Sequence, residues 1–165
     1  MYSNKTKEQE LLEFIFDTDE NKDNLKQIEQ LIRETDNIDY GYYSKFTECI
    51  ETMLSTAIIR MSNSNTGKIV DYYAEVAEML LSHGASFHFC DDDCGYTALD
   101  HLILQGGKHG LNQNTYRLAK IMITSLNEEQ TRSYLRQFRN QETFNGLIKI
   151  FQEFNRYDKY LEYMF

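Results

Sequence analysis

The sequence predicts an all-α protein. Apolar residues recur every three or four positions through most of the chain, which is the period of a helix with one buried face. No segment shows about four to eight residues of apolar alternation, the pattern of a half-buried strand. A motif also recurs, because TMLSTA at 52–57 repeats the spacing of TALDHL at 97–102. Recurrence of this kind indicates an architecture of stacked units.

The N-terminal part predicts a helical hairpin. A short apolar helix is expected around residues 11–16, and a second helix places Leu25, Ile28 and Ile32 on one face after the polar turn at 17–24. The next segment, DNIDYGYYSKF at 36–46, is polar and aromatic with one glycine. It is therefore expected to be a long loop.

The central part predicts two further helices separated by a loop. Ile50, Met53, Leu54, Ala57 and Ile58 mark the first of them. The segment SNSNTGK at 62–68 is expected to be a loop, because its side chains compete for backbone hydrogen bonds. The second helix carries its apolar residues from 70 to 81 and is expected to end at His83 and Gly84.

The C-terminal part predicts four helices. One begins near Thr97 and stops around Gly106 and Gly107, and a partner follows the loop at 106–114. Asn127 with Gln130 three residues later resembles a capping box at the start of the next helix. The last helix is expected from Asn140 onward. The apolar positions of the second, third and fourth of these helices are Leu118, Ile121, Met122, Tyr134, Leu135, Phe138, Phe144, Leu147, Ile148, Phe151, Phe154, Tyr157, Leu161 and Met164.

The segment LLSHGASFHFCDDDCGYTALDHL at 80–102 resembles the junction of two ankyrin repeats, whose pattern runs LLxxGADVN, a tight turn, and DxxGxTPLHxA. The matching residues are Leu80, Leu81, Gly84, Ala85, Asp92, Gly95, Thr97 and Leu99. The departures are Ala98 for the proline, Asp100 for the histidine and Leu102 for the alanine. TMLSTA fits more weakly, with Ile50 at the turn glycine and Ser55 at the histidine.

The resemblance implies a short solenoid of helical hairpins with helical caps at both ends. Thr97 follows Thr52 by 45 residues, whereas an ankyrin repeat has about 33. The excess is expected as insertions between paired helices, chiefly at SNSNTGKIVDYYA and GGKHGLNQN. The implied parts are an N-terminal capping hairpin at 1–37, a repeat with a long inter-helix insertion at 38–90, a second repeat at 91–125 and a C-terminal helical cap at 126–165.

Charge and length limit the function. The chain has 165 residues, enough for one domain with a sizeable core, and a net charge of −9. Such a charge repels nucleic acid and anionic membranes. Without a signal peptide or an apolar span, and with three cysteines that form no disulfide framework, a cytoplasmic protein is expected. Export into a host cell without a cleaved signal is the alternative.

No cofactor or metal is expected. Cys90, Cys94, His83, His88 and His101 could bind zinc if they converged, so a zinc protein or enzyme remains the alternative function. Their spacing lacks the CxxC-like pairs that are typical of structural zinc sites. The two cysteines are therefore expected to be reduced thiols without a metal. The run Asp91–Asp93 lacks the alternating ligands and final glutamate of a calcium loop. No nucleophile elbow, phosphate loop or HExxH motif indicates an enzyme.

The resemblance implies a non-catalytic module that binds another protein through finger loops and inner helices. The chain would be monomeric alone, and its acidic surface would suit a basic or mixed apolar partner. Such proteins include effectors delivered into host cells, which is a possible setting. For the loop aromatics, local packing is the alternative to an interface. The expected contact residues are Tyr40, Tyr42, Tyr43, Phe46, Glu48, Cys49, Glu51, Ile59, Arg60, Asp91, Asp92, Asp93, Cys94, Tyr96, Leu104 and Gln105.

Overall fold

A computed structural model describes residues 5–17, 21–45, 48–64, 66–89, 96–109, 112–138 and 151. These residues are mostly helical, as predicted. A short 3-10 helix, Lys22–Asn24, precedes the second α-helix. The elements are α1 (Lys7–Asp17), α2 (Leu25–Glu34), β1 (Tyr42–Ser44), β2 (Cys49–Glu51), α3 (Met53–Asn63), α4 (Gly67–Ser82), α5 (Ala98–His109), α6 (Gln113–Ser125) and α7 (Glu128–Phe138). The chain divides into two compact units, Met1–Ala98 and Leu99–Phe165.

The first unit begins with the predicted helical pair. Helix α1 packs on α2, and α2 packs in turn on α4. Leu11 and Ile15 of α1 and Ile28 and Ile32 of α2 are buried, at the four-residue spacing that places them on one helix face. The periodicity of the sequence therefore located both helices and their buried faces.

Helices α3 and α4 form the core of the first unit and pack against each other. The loop expected at 62–68 is shorter than predicted, because α3 continues to Asn63 and α4 begins at Gly67. The hydroxyl of Ser62 donates to the carbonyl of Ile58 at 2.6 Å, so this side chain is satisfied inside the helix instead of breaking it. Most of the segment expected as an insertion between the two helices thus lies within them, and α4 has 16 residues.

The end of α4 is a Schellman motif, as the glycine at position 84 predicted. Gly84 has φ +94°, in the left-handed region. Its N–H donates to the carbonyl of Leu81 at 3.1 Å, and the N–H of Ala85 donates to that of Leu80 at 3.0 Å. These bonds satisfy carbonyls that the last helical turn leaves without partners.

A β-hairpin occupies part of the segment that was expected to be a loop. Strands β1 and β2 are antiparallel, with Tyr42 opposite Glu51 and Tyr43 opposite Ile50. Each strand has three residues, too few for an alternating pattern to be recognised. Ile50, which was assigned to the following helix, is therefore a strand residue.

Helix α3 begins directly after Thr52, which caps it. The Thr52 hydroxyl accepts from the N–H of Ser55 at 3.2 Å, and the Ser55 hydroxyl accepts from the N–H of Thr52 at 2.9 Å. Helix α5 likewise begins one residue after Thr97. The two matching threonines thus occupy the same position relative to a helix start.

The second unit contains α5, α6 and α7. Its core residues include Leu99, Leu102, Leu118 and Met122. Helix α5 extends to His109, beyond the stop expected at Gly106, because glycine lowers helix stability by only about 1 kcal/mol and neighbouring turns can outweigh it.

Other predictions for the second unit have mixed outcomes. The capping box at the start of α7 is confirmed. The N–H of Asn127 donates to Oε1 of Gln130, and the N–H of Gln130 donates to Oδ1 of Asn127, each at 2.9 Å. Ile121 was placed on the buried stripe but is 38% exposed, because the buried face of α6 runs through its neighbours Met122 and Ile123. The predicted final helix lies outside the described residues except for Phe151, which is helical and buried.

Candidate functional site

The first unit has a cleft of about 570 Å³ between the hairpin and helices α3 and α4. It brings together five of the predicted contact residues: Tyr42, Tyr43, Glu51, Ile59 and Arg60. Its other lining residues are Ser44, Lys45, Thr56, Asn63, Ser64, Ile69 and Tyr73. The hairpin register explains part of this grouping, because directly opposed residues such as Tyr42 and Glu51 project from the same face of the sheet.

A chain of hydrogen bonds joins the hairpin to α3 at one wall of the cleft. The Tyr42 hydroxyl oxygen lies 2.5 Å from the Thr56 hydroxyl oxygen. The Thr56 hydroxyl in turn donates a hydrogen bond to the carboxylate of Glu51. Because the single hydroxyl proton of Thr56 is engaged by Glu51, Tyr42 is the donor to Thr56. Thr56 and Glu51 are each only 5% exposed, so the bonds are largely shielded from water.

The pKa of the Tyr42 phenol is raised to about 12, chiefly by burial and in smaller part by the nearby Glu51 carboxylate. The hydrogen bond with Thr56 and the charge of Arg60 act in the opposite direction but do not outweigh burial. Tyr42 is therefore a neutral hydrogen-bond donor at physiological pH. It has no activated phenolate with which to attack a substrate.

Arg60 lies at the cleft with its guanidinium against two aromatic rings. Its carbon Cζ is 4.8 Å from the ring centroid of Phe16 and 5.9 Å from that of Tyr73. Nη1 donates to the carbonyl of Phe16 at 3.0 Å and to the hydroxyl of Tyr73 at 3.1 Å. Cation–π contact and hydrogen bonds together hold Arg60 in place.

An exposed apolar patch lies on the hairpin. Tyr43 and Ile50 face each other across the strands and are 63% and 45% exposed. A Cβ at Gly41 would lie 3.0 Å from Cγ2 of Ile50 and 3.6 Å from Cζ of Phe89, so both side chains approach the same point of the backbone. Phe89 is 37% exposed. We call Tyr43, Ile50 and Phe89 the hairpin patch.

The remaining predicted contact residues are dispersed. Tyr40 is half-buried and does not line the cleft, while Glu48 is exposed near the hairpin turn with φ +59°. Tyr96 belongs to the first unit and is exposed, and Leu104 is half-buried in the second unit. The backbone of Gln105 is in α5. Phe46, Asp91, Asp92, Asp93, Cys94 and the side chains of Cys49 and Gln105 lie outside the part of the chain that the structure describes.

Sequence reasoning missed the seven other lining residues of the cleft, and also Phe16, which contacts Arg60. Thr56 and Tyr73 were assigned only to helices, Phe16 only to the first apolar helix, and Lys45 only to a loop. The register of a hairpin would have placed Tyr42 opposite Glu51, but the hairpin itself was not predicted. Contacts between separate helices, such as that of Arg60 with Phe16, have no signal in the local sequence pattern.

The alternative zinc cluster is incompletely described, because Cys90 and Cys94 are outside the described residues. Within the described ranges, no three His, Cys, Asp or Glu side chains are grouped as metal ligands would be. The helices described include none that is both long and apolar enough to cross a membrane.

No protein-family model, curated protein or solved structure matches the chain. The cleft and the hairpin patch are therefore the basis on which a function is assigned.

Proposed function

We propose that the chain is a non-catalytic module that binds another protein through its hairpin. The observation that carries this proposal is the cross-strand pair Tyr43–Ile50, which leaves two large apolar side chains in water. Phe89 extends the same surface. Apolar and aromatic side chains grouped on a surface gain free energy when a partner covers them, and tyrosine is enriched at binding hot spots.

An ankyrin-like architecture fits this role. In an ankyrin-like repeat the hairpin would be the finger, α3 the inner helix and α4 the outer helix. Support comes from the capped start of α3 at Thr52, the short connection to α4 and the left-handed Gly84 that ends it. The predicted stacking of such repeats into a solenoid with terminal caps remains part of the proposal.

The polar groups of the cleft favour binding over catalysis. Tyr42 is neutral, and the Thr56 hydroxyl is buried between Tyr42 and Glu51 with a hydrogen bond to each, so a substrate has little access to it. At longer range the net charge of −9 favours approach of a basic or mixed apolar partner. The proposed partner is therefore a protein that contributes apolar side chains to the hairpin patch.

A photo-crosslinking experiment tests the proposed binding surface. Tyr43→p-benzoylphenylalanine is expected to crosslink one specific protein in a lysate. The matched control is Ile121→p-benzoylphenylalanine, because Ile121 is also an exposed apolar residue but lies on α6. Unlabelled native chain should compete for the crosslink.

The competitor Ile50→Ser/Phe89→Ser decides whether the hairpin patch provides the affinity. With an unchanged melting temperature, this variant should compete at least about tenfold less well, the loss expected for a hot spot of about 2 kcal/mol. Equal competition by the variant, or equal crosslinking from position 121, would contradict binding through the hairpin.

A further inference from the structure

The charges that a ligand could reach in the cleft are positive, although the chain carries a net charge of −9. Arg60 and Lys45 line the cleft and are both exposed. Among the described residues that line it, the only carboxylate is Glu51. This side chain is 5% exposed and accepts a hydrogen bond from the Thr56 hydroxyl. The accessible charge of the cleft is thus opposite in sign to the net charge of the protein.

Arg60 keeps donors available for a ligand. The hydrogen bonds of its guanidinium go to a neutral carbonyl and a neutral hydroxyl, both through Nη1. Among the residues that the structure describes, neither Arg60 nor Lys45 forms an ion pair. A guanidinium held by aromatic rings, with Nε and Nη2 free of protein acceptors there, suits a planar anion that accepts two hydrogen bonds.

We propose that the cleft binds a carboxylate side chain of the partner protein, with Arg60 and Lys45 as its cationic contacts and an adjoining apolar group of the partner against Ile59 and Ile69. This inference rests on the proposed function, because it names the chemistry of the partner at one point of the interface. It also adds a local requirement: a partner that is basic or mixed overall must present an acid here.

The surroundings favour a carboxylate over a phosphate. Ile59, Ile69 and the ring of Tyr73 make part of the lining apolar, so a ligand must lose water to enter. The described charged residues that line the cleft are two cations and one carboxylate, so a single negative charge neutralises them. A phosphate dianion would leave an uncompensated negative charge in a partly apolar site. A cationic ligand would be opposed by both Arg60 and Lys45.

Small probes test this site without a known partner. Amide chemical shifts of the isotope-labelled full chain would be followed during titration with 3-phenylpropionate, an aromatic carboxylate. Saturable shifts are expected at residues 42–45 and 59–63, and binding should weaken with added salt. The uncharged 3-phenylpropionamide should bind at least about tenfold more weakly. Equal binding of the amide would overturn the proposal, and tighter binding of phenyl phosphate would overturn the assignment to a carboxylate.

Charge variants locate the contact. Lys45→Gln should weaken 3-phenylpropionate binding at least about threefold, whereas Lys26→Gln, at an exposed lysine of α2 outside the cleft, should leave it unchanged. Arg60→Lys preserves charge but loses the planar fork, so it should also weaken binding. Equal loss in Lys26→Gln, or no loss in Lys45→Gln, would overturn the proposal.

The two proposals can fail separately. Crosslinking from position 43 together with no saturable binding of the carboxylate would reject the cleft and leave the hairpin patch as the binding surface. Carboxylate binding at the cleft without any specific crosslink would reject binding through the hairpin.

Discussion

Tyr42 shows how one side chain can fix a surface hairpin to a helix. Its hydroxyl reaches from β1 to Thr56 of α3, and Thr56 in turn holds Glu51 of β2. Both three-residue strands of the hairpin are therefore attached to the helix that follows them. An isolated two-stranded hairpin is only marginally stable, so this attachment is a main reason for its order.

Removal of the Tyr42 hydroxyl should measure that attachment. Tyr42→Phe is expected to lower the free energy of unfolding by about 1 kcal/mol, because the ring stays but a shielded hydrogen bond is lost. Urea denaturation gives the value. Tyr43→Phe is the matched control: its side chain is 63% exposed, and a change within about 0.5 kcal/mol is expected. Equal effects of the two substitutions would contradict the role given to Tyr42.

The raised pKa of Tyr42 makes stability depend on alkaline pH. The pKa is about 12 in the folded chain against the usual 10.0, so above pH 10 the unfolded state loses this proton first. The folded state then binds more protons than the unfolded state, and stability must fall as pH rises from about 10 to 12. Unfolding free energies measured across this range should fall less steeply for Tyr42→Phe. Identical slopes would show that Tyr42 titrates like an exposed tyrosine.

Among the elements, α4 depends on a special backbone conformation at its end. Gly84 has φ +94°, and no atom lies within 4 Å of the point that a Cβ would occupy, so a side chain there would strain the backbone without clashing. Gly84→Ala is expected to lower the free energy of unfolding by about 1 kcal/mol. Thermal or urea denaturation measures this loss.

Gly67→Ala is the matched control for Gly84→Ala. Gly67 is in the first turn of α4, also with open space around it, and alanine favours a helix there. This substitution should leave stability unchanged or raise it by about 0.5 kcal/mol. A loss at Gly67 as large as that at Gly84 would contradict the assignment of the effect to the left-handed conformation.

The helices were predictable from the sequence because their signals are local and repeated. Ile28 and Ile32 are one helical turn apart, and Asn127 and Gln130 are within one capping box. The hairpin was not predictable in this way, because its strands are shorter than the window in which alternation is recognised. Its stability comes from contacts with α3, which local propensity does not report.

The candidate site was predicted in part. The ankyrin resemblance selected Glu51, Ile59 and Arg60, and the composition of the loop selected Tyr42 and Tyr43; all five line the cleft. Thr56 and Tyr73 were missed, because their relation to the cleft arises from the packing of α3 on α4. The five predicted residues thus share one cleft, while the polar contacts within it arise from tertiary packing.

At the scale of the whole molecule, the distribution of charge matters more than its sum. A net charge of −9 predicts repulsion of anions over long distances. Within about a Debye length, roughly 8 Å at physiological ionic strength, the exposed Arg60 and Lys45 dominate at the cleft. The proposed interface therefore combines a general preference for basic partners with a local requirement for an acid.

Arg60 extends from α3 to two other helices, since its Nη1 donates both to the carbonyl of Phe16 in the last turn of α1 and to Tyr73 of α4. A ligand that orders this guanidinium would also protect the end of α1 against fraying, because the same nitrogen serves a carbonyl that a helix end leaves without a partner. Thermodynamic reciprocity requires the converse. If the cleft binds this ligand, fraying of α1 would lower the affinity by the same factor by which occupancy suppresses the fraying. The N-terminal helix would then regulate a site to which its described residues contribute none of the lining.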